Sequence, residues 1–400
     1  MESIFFYRDP DAAGTGSGPL QGLNMAIQPN VLVKGWPTDA GSNALANFTA
    51  LDDAAVIGRL REAGALLCGS TRMSEFGFSL DGSRAGEALK ENAADAEMVL
   101  DLMGESRLAA ARAGVCGFKP SYGMVSSIGL VGLIPSMECW GLLCRDPGRI
   151  REILGTIAGP DPLDFSLSDE PAPDFSARAI EPGKTRIGII PEAVSGLPGD
   201  CKNAFEAAVD EFKQAGFSVR EFSLPDMGLF PLVHNIVGSV EASSCAGRYD
   251  SVRYGRRVPG AKNWNEMFLR SRGAAFGTLV KSYLFQGAYF QFERFEAYED
   301  ACRIRTRLIA DMQKLSGQAD FFIFPAAAAG NSDPGDFLGD IYEQFAATLF
   351  ANVTGQPALY LPPASGTSAS GFQLTGPRFS DARVLALGEH LVNLRQGGNG

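Results

Sequence analysis

Apolar residues recur at three- and four-residue spacing through "LDDAAVIGRLREAG" (51–64), and "ALLCG" then runs almost unbroken in apolar residues. The first pattern predicts a helix stopped at Gly64, the second a buried strand. "LNMAI" (23–27) predicts a short strand, and "MVLDLMG" (98–104) a strand entering a turn at Gly104. After that turn "SRLAAARAG" predicts a short helix closed by Gly114. The run "TRIGII" (185–190), the amphipathic "CKNAFEAAVDEFKQAG" (201–216) and "FSVREFSL" read as strand, helix and strand. That order implies parallel pairing. Further helices are expected at 146–159 and over most of 265–315, a strand at 320–325, and a helix, turn and strand across 342–362.

Residues 1–19 read as a flexible lead-in, because 9–19 are rich in Gly, Pro and Asp, and "RQGGNG" (395–400) as a frayed tail. No repeat or linker divides 20–394, so one α/β domain is expected.

Composition narrows the function classes. A hydrophobic fraction of 45% is ordinary for a globular chain, and a net charge of −11 argues against broad nucleic-acid binding. The basic stretch "RYDSVRYGRR" (248–257) reads either as a local basic strip or as a solvated face with ion pairs. Seven scattered cysteines with no CxxC pair suggest reduced thiols and a cytoplasmic protein. His234 and His390 have no metal-ligand spacing, and no apolar run reaches membrane-spanning length.

Six ordered segments carry a family resemblance: "VKGWPTDAGSNAL" (33–45), "AGALLCGSTRMSEFGF" (63–78), "GVCGFKPSYGMVSSIGLVG" (114–132), "VEASSCAGRYDSVRYGRR" (240–257), "YEDACRIRTRLI" (298–309) and "NVTGQPALYLP" (352–362). Together they resemble the amidase signature family, and most of all its branch of A subunits of glutamyl-tRNA(Gln)/aspartyl-tRNA(Asn) amidotransferases. The resemblance implies an amidase signature fold: a central mixed, largely parallel twisted sheet covered by helices on both faces. It also implies shortened N-terminal helices and a shortened Gly/Ser region near 80–100.

The family hydrolyses amides with a nucleophilic serine, a relay serine and a buried lysine. A serine hydroxyl needs a base within reach, and a lysine serves as that base only if burial lowers its pKa. In register with the family, the lysine position holds Gln28 and the nucleophile position holds Glu105. An amide cannot take up a proton near neutral pH. Asp101, Gly104, Arg107 and Gly114 keep register, and Asp101 and Gly104 are carried over to the substrate side. Ser106 lies one residue past the nucleophile position. Ser83, in "DGSRAGEAL", reads either as the relay serine or as an ordinary loop serine. Lys34 matches a non-catalytic family lysine. Arg305 matches a substrate-side arginine, or is one paired with a carboxylate. Arg256 and Phe345 replace a family tyrosine and aspartate.

Two readings follow. In the first, the chain is an amidase-fold pseudoenzyme that binds a partner subunit or a small amide or carboxylate ligand. In the second, it is a divergent working amidase that uses Ser106, Ser83 or Glu105. Neither calls for a cofactor or metal, and tRNA would be met only through a complex.

Overall fold

The computed structural model describes residues 3–12, 16–176, 179–326, 336–364 and 371–397. Eleven strands are described: β1 (Phe5–Arg8), β2 (Asn24–Ile27), β3 (Leu66–Thr71), β4 (Ala96–Asp101), β5 (Cys116–Lys119), β6 (Cys139–Cys144), β7 (Arg186–Ile189), β8 (Ser218–Glu221), β9 (Phe321–Pro325), β10 (Ala358–Leu361) and β11 (Phe372–Thr375). They form one sheet in the order β1-β3-β2-β4-β6-β5-β10-β11-β9-β7-β8. The sheet is mixed. Its parallel pairings, β3-β2-β4 and β9-β7-β8, lie towards the two sides. The strands between β4 and β9 pair antiparallel, and β1 closes one edge antiparallel to β3.

Both faces of the sheet are covered, and strand alternation shows how. Phe321 and Ile323 of β9, with Leu359 and Leu361 of β10, belong to one apolar cluster. Phe322 and Phe324, with Ala358 and Tyr360, belong to the other. The first cluster takes in the helices Ala55–Glu62, Pro147–Ile157, Gly199–Gln214 and Asp381–Gly397. The second takes in Glu105–Ala113, Leu229–Cys245, Thr278–Phe292, Phe295–Ser316, Phe337–Phe345 and Leu349–Thr354. Helix Glu105–Ala113 lies hard against β5, where a Cβ on Gly117 would fall 2.3 Å from the Ser106 carbonyl oxygen. Glycine is required there by this close approach.

Two expectations at the ends of the chain are corrected. Part of the supposed lead-in is strand β1, whose Phe5 is buried and whose residues pair with Gly69–Thr71. Its "IFFYR" pattern satisfies an edge of the sheet, which the Gly/Pro-rich stretch behind it conceals. At the other end the last helix continues to Gly397, and Arg395 forms a two-point ion pair with Glu211. Residues 398–400 of the supposed tail lie outside the described residues.

Candidate functional site

Strand β4 delivers Asp101 to a turn, Leu102–Gly104, and helix Glu105–Ala113 starts immediately after it. Gly104 has φ +127°, and a Cβ there would lie 2.1 Å from the Thr348 hydroxyl. Only glycine fits both constraints. The turn points three consecutive N–H groups at one place. Leu102, Met103 and Gly104 all donate to Oε2 of Glu105, at 2.6, 2.7 and 3.1 Å. Converging backbone amides need an acceptor oxygen, and the chain supplies its own in the Glu105 side chain.

Glu105 is only 3% exposed, and its Oε1 has no hydrogen-bond partner among the described residues. Burial, then the nearby Asp101 charge, push the carboxyl up to about 8, against the downward pull of the backbone N–H groups. The Glu105 side chain therefore occupies the three N–H groups of the turn itself.

Beneath the turn lies a buried polar network. Arg107 pairs with Asp101 at 3.4 Å and donates to the Thr348 carbonyl, Gln373 Oε1 and Asn352 Oδ1 at 2.8–2.9 Å. Asn352 Nδ2 donates to Asp101 Oδ1 at 2.9 Å. Ser106 is fully buried and its hydroxyl donates to Asp101 Oδ2. Asp101 and Ser106 thus belong to this network. Gly104 spends its N–H on Glu105.

The remaining candidates are also engaged. Gln28, just past β2, is buried and accepts from the Leu100 N–H at 2.9 Å, which ties β2 to β4. Lys34 is exposed, and its backbone N–H donates to Asp53. Ser83 sits in a turn and accepts from the Ala85 N–H two residues on. Arg305 is pinned to Ser136 by two bonds of 2.7 Å and to the Val353 carbonyl at 3.1 Å. Ser136 in turn donates to Glu241, so Arg305 meets its carboxylate through a serine.

Aromatic side chains pack beside Glu105. His234 bridges the Leu102 carbonyl (3.0 Å) and the Tyr342 hydroxyl (2.9 Å), and Tyr342 bonds Tyr283 at 3.0 Å. Phe78 packs 4.4 Å from Tyr283, ring to ring, and Phe345 is fully buried. Burial lowers His234 to about 4, so the ring is neutral. Sequence reasoning weighed His234 only as a metal ligand. Its setting on Leu229–Cys245, a helix with no clean apolar period, gave no further signal. Gln373 and Thr348 were missed because each acts across more than two hundred residues of sequence. Among the described residues no His/Cys/Asp/Glu cluster is arranged to hold a metal ion.

The architecture is a mixed α/β sheet with a strand-to-helix turn that converges three backbone amides on one atom. The Amidase family profile matches residues 7–100 and 101–385, and the chain belongs to that family. The A subunit of the Natronomonas pharaonis glutamyl-tRNA(Gln) amidotransferase is 32% identical over 98% of this chain and 100% of its own length. The same-named protein of Geobacter sulfurreducens is 31% identical over 88% of this chain and 79% of its own. Among solved structures, the corresponding Thermotoga maritima protein, also the A subunit of a glutamyl-tRNA(Gln) amidotransferase, superposes with a TM-score of 0.78 at 22% identity, covering 96% of this chain and 86% of that one. Native peptide amidase from Stenotrophomonas maltophilia gives 0.77 at 23% identity, covering 98% and 89%. These structural likenesses carry the amidase signature fold.

Proposed function

We propose that this amidase-family chain binds rather than hydrolyses. The observation that carries the reading is the Glu105 carboxyl group seated on the N–H groups of Leu102, Met103 and Gly104. A carbonyl oxygen cannot take those donors while Glu105 holds them, and no serine stands at the turn to attack. Gln28, bonded to the Leu100 N–H, offers no base. Losing nucleophile, base and oxyanion donors together removes many orders of magnitude of rate.

The surface supports binding of a partner subunit. Helix Thr278–Phe292 buries Val280, Tyr283, Leu284 and Gly287 on one side. On the other it exposes Phe285 and Phe292, both 74%, with Tyr289 between them. These three stand at i, i+4 and i+7, a stripe fit for a partner helix. Amidotransferase A subunits, which the chain resembles, work inside complexes, and tRNA would be met only there. All seven cysteines are free, which fits a reducing, cytoplasmic setting. No described helix is long and apolar enough to cross a membrane.

The test is turnover of glutamine, asparagine and aryl amides by the purified chain. No rate above the uncatalysed background is expected. A rate abolished by Ser83→Ala or Ser106→Ala would overturn the reading in favour of a divergent working amidase.

A further inference from the structure

A second carboxylate stands one strand away from the filled turn, in a different setting. Cys139, the first residue of β6, is the register partner of Asp101. Beside it opens a cavity of about 190 Å³ walled by Val125, Leu130, Tyr122 and Trp140, with Glu138 and Arg248 among its lining. Neither Glu105 nor any residue of the Leu102–Gly104 turn lines it.

Glu138 is held from one side only. Its Oε2 accepts from the Leu133 and Ile134 N–H groups at 2.9 and 2.8 Å. Its Oε1 has no partner among the described residues and, unlike Oε1 of Glu105, is not sealed from solvent. The fixed oxygen orients the carboxylate and leaves the second free to accept. Arg248 follows helix Leu229–Cys245 and is exposed. Its Nε donates to the Cys245 carbonyl at 3.0 Å, which anchors the guanidinium at the rim. Its two Nη groups carry no carboxylate partner among the described residues. Glu138 and Arg248 form no ion pair with each other, and the Glu241 carboxylate acts on Glu138 more strongly than the Arg248 charge does. Both line one small cavity whose remaining walls mix apolar side chains with Ser121, Ser127 and Ser166.

We infer that this cavity binds a small amino-carboxylate zwitterion, its ammonium on Glu138 Oε1, its carboxylate on the Arg248 Nη groups and its methylene stem along Leu130 and Val125. The volume admits one amino-acid-sized molecule and falls below that of cavities for drug-sized ligands. Burial pushes the empty Glu138 carboxyl up to about 7, and a bound ammonium would offset that desolvation. The proposal does not depend on whether amides are turned over at Glu105, so either reading can fail alone.

The experiment is isothermal titration calorimetry of the full chain with glycine, β-alanine, 4-aminobutyrate and 5-aminopentanoate, using butylamine and butyrate as single-charge controls. One length of zwitterion is expected to bind at least about tenfold tighter than either control, the advantage of engaging both charges. Arg248→Ala, a surface change, and Glu138→Gln, which keeps an acceptor for both N–H groups, should each weaken it by about tenfold or more. Arg248→Glu should turn the preference towards a diamine of similar length. The proposal is overturned if no zwitterion outbinds the controls, or if Arg248→Ala retains wild-type affinity.

Discussion

Glu105 and Glu138 are two glutamates within one strand of each other, both clamped by consecutive backbone amides, and they end in opposite states. Glu105 takes three N–H groups on one oxygen, and its other oxygen is buried without a described partner. Glu138 takes two, and its other oxygen meets a cavity. Beneath Glu105 lies a fully buried ion pair, Asp101 with Arg107. Across from Glu138 stands a solvated arginine. On the two readings proposed above, the same chemistry plugs a site in one place and leaves a binding surface in the other. What decides between them is whether the second oxygen reaches water.

The closed side should be the costlier to disturb. Arg107→Ala leaves Asp101 buried without its cation and strands the acceptors on Thr348, Gln373 and Asn352. The expected loss is about 3–5 kcal/mol, read from urea unfolding. A loss below about 1 kcal/mol would mean that the network is not what holds the turn.

Next in size is a pH effect confined to Glu105. Between about pH 4.5 and 8 its folded carboxyl holds a proton that the unfolded chain releases. Stability therefore falls as pH rises through that window and levels off above it. Glu97 and Glu138, each pushed to about 7 by burial, contribute slopes of the same sign. His234, lowered to about 4, contributes the opposite slope between 4 and 6.5. Glu105→Gln should remove its own share of that slope across the window and leave the others. Denaturant midpoints of both proteins at pH 5, 6.5 and 8.5 measure the difference, and parallel pH profiles would sink the assignment.

A smaller effect is expected at Gln28. Gln28→Ala removes the acceptor of the Leu100 N–H on a buried strand, which costs about 1–3 kcal/mol. Gln28→Lys should cost at least as much, because a buried ammonium would meet a backbone donor. Unfolding midpoints rank the three proteins, and a more stable Lys variant would show that the pocket still accepts a base.

Much of this was legible beforehand, and the part that was not has a physical reason. The register from Asp101 to Gly114 put Glu105 at the turn, because Gly104 and Gly114 punctuate that helix at both ends. The βαβ order around Arg186–Glu221 gave the parallel block, which is local in sequence. Strand β1 was hidden by its Gly/Pro-rich flank. The meaning of Arg107 was out of reach, since three of its partners, Thr348, Asn352 and Gln373, arrive from more than two hundred residues away. The Glu138 cavity had no signal at all. Glu138 lies beyond the quoted glycine-rich run, and Arg248 read only as part of a basic strip.

The smallest stability effect is the sharpest test of the open side. Arg248 is exposed and its Nε bonds the carbonyl of Cys245, three residues back in the same turn. Arg248→Ala should leave the unfolding free energy within about 0.5 kcal/mol of wild type. Arg107→Ala, which also removes a guanidinium, should cost several times more, so burial and not residue type sets the difference. If Arg248→Ala instead destabilises the chain by more than about 1 kcal/mol in urea, the guanidinium is bracing the end of helix Leu229–Cys245. The open side would then be structural like the closed one, and the contrast between the two glutamates would lose its functional meaning.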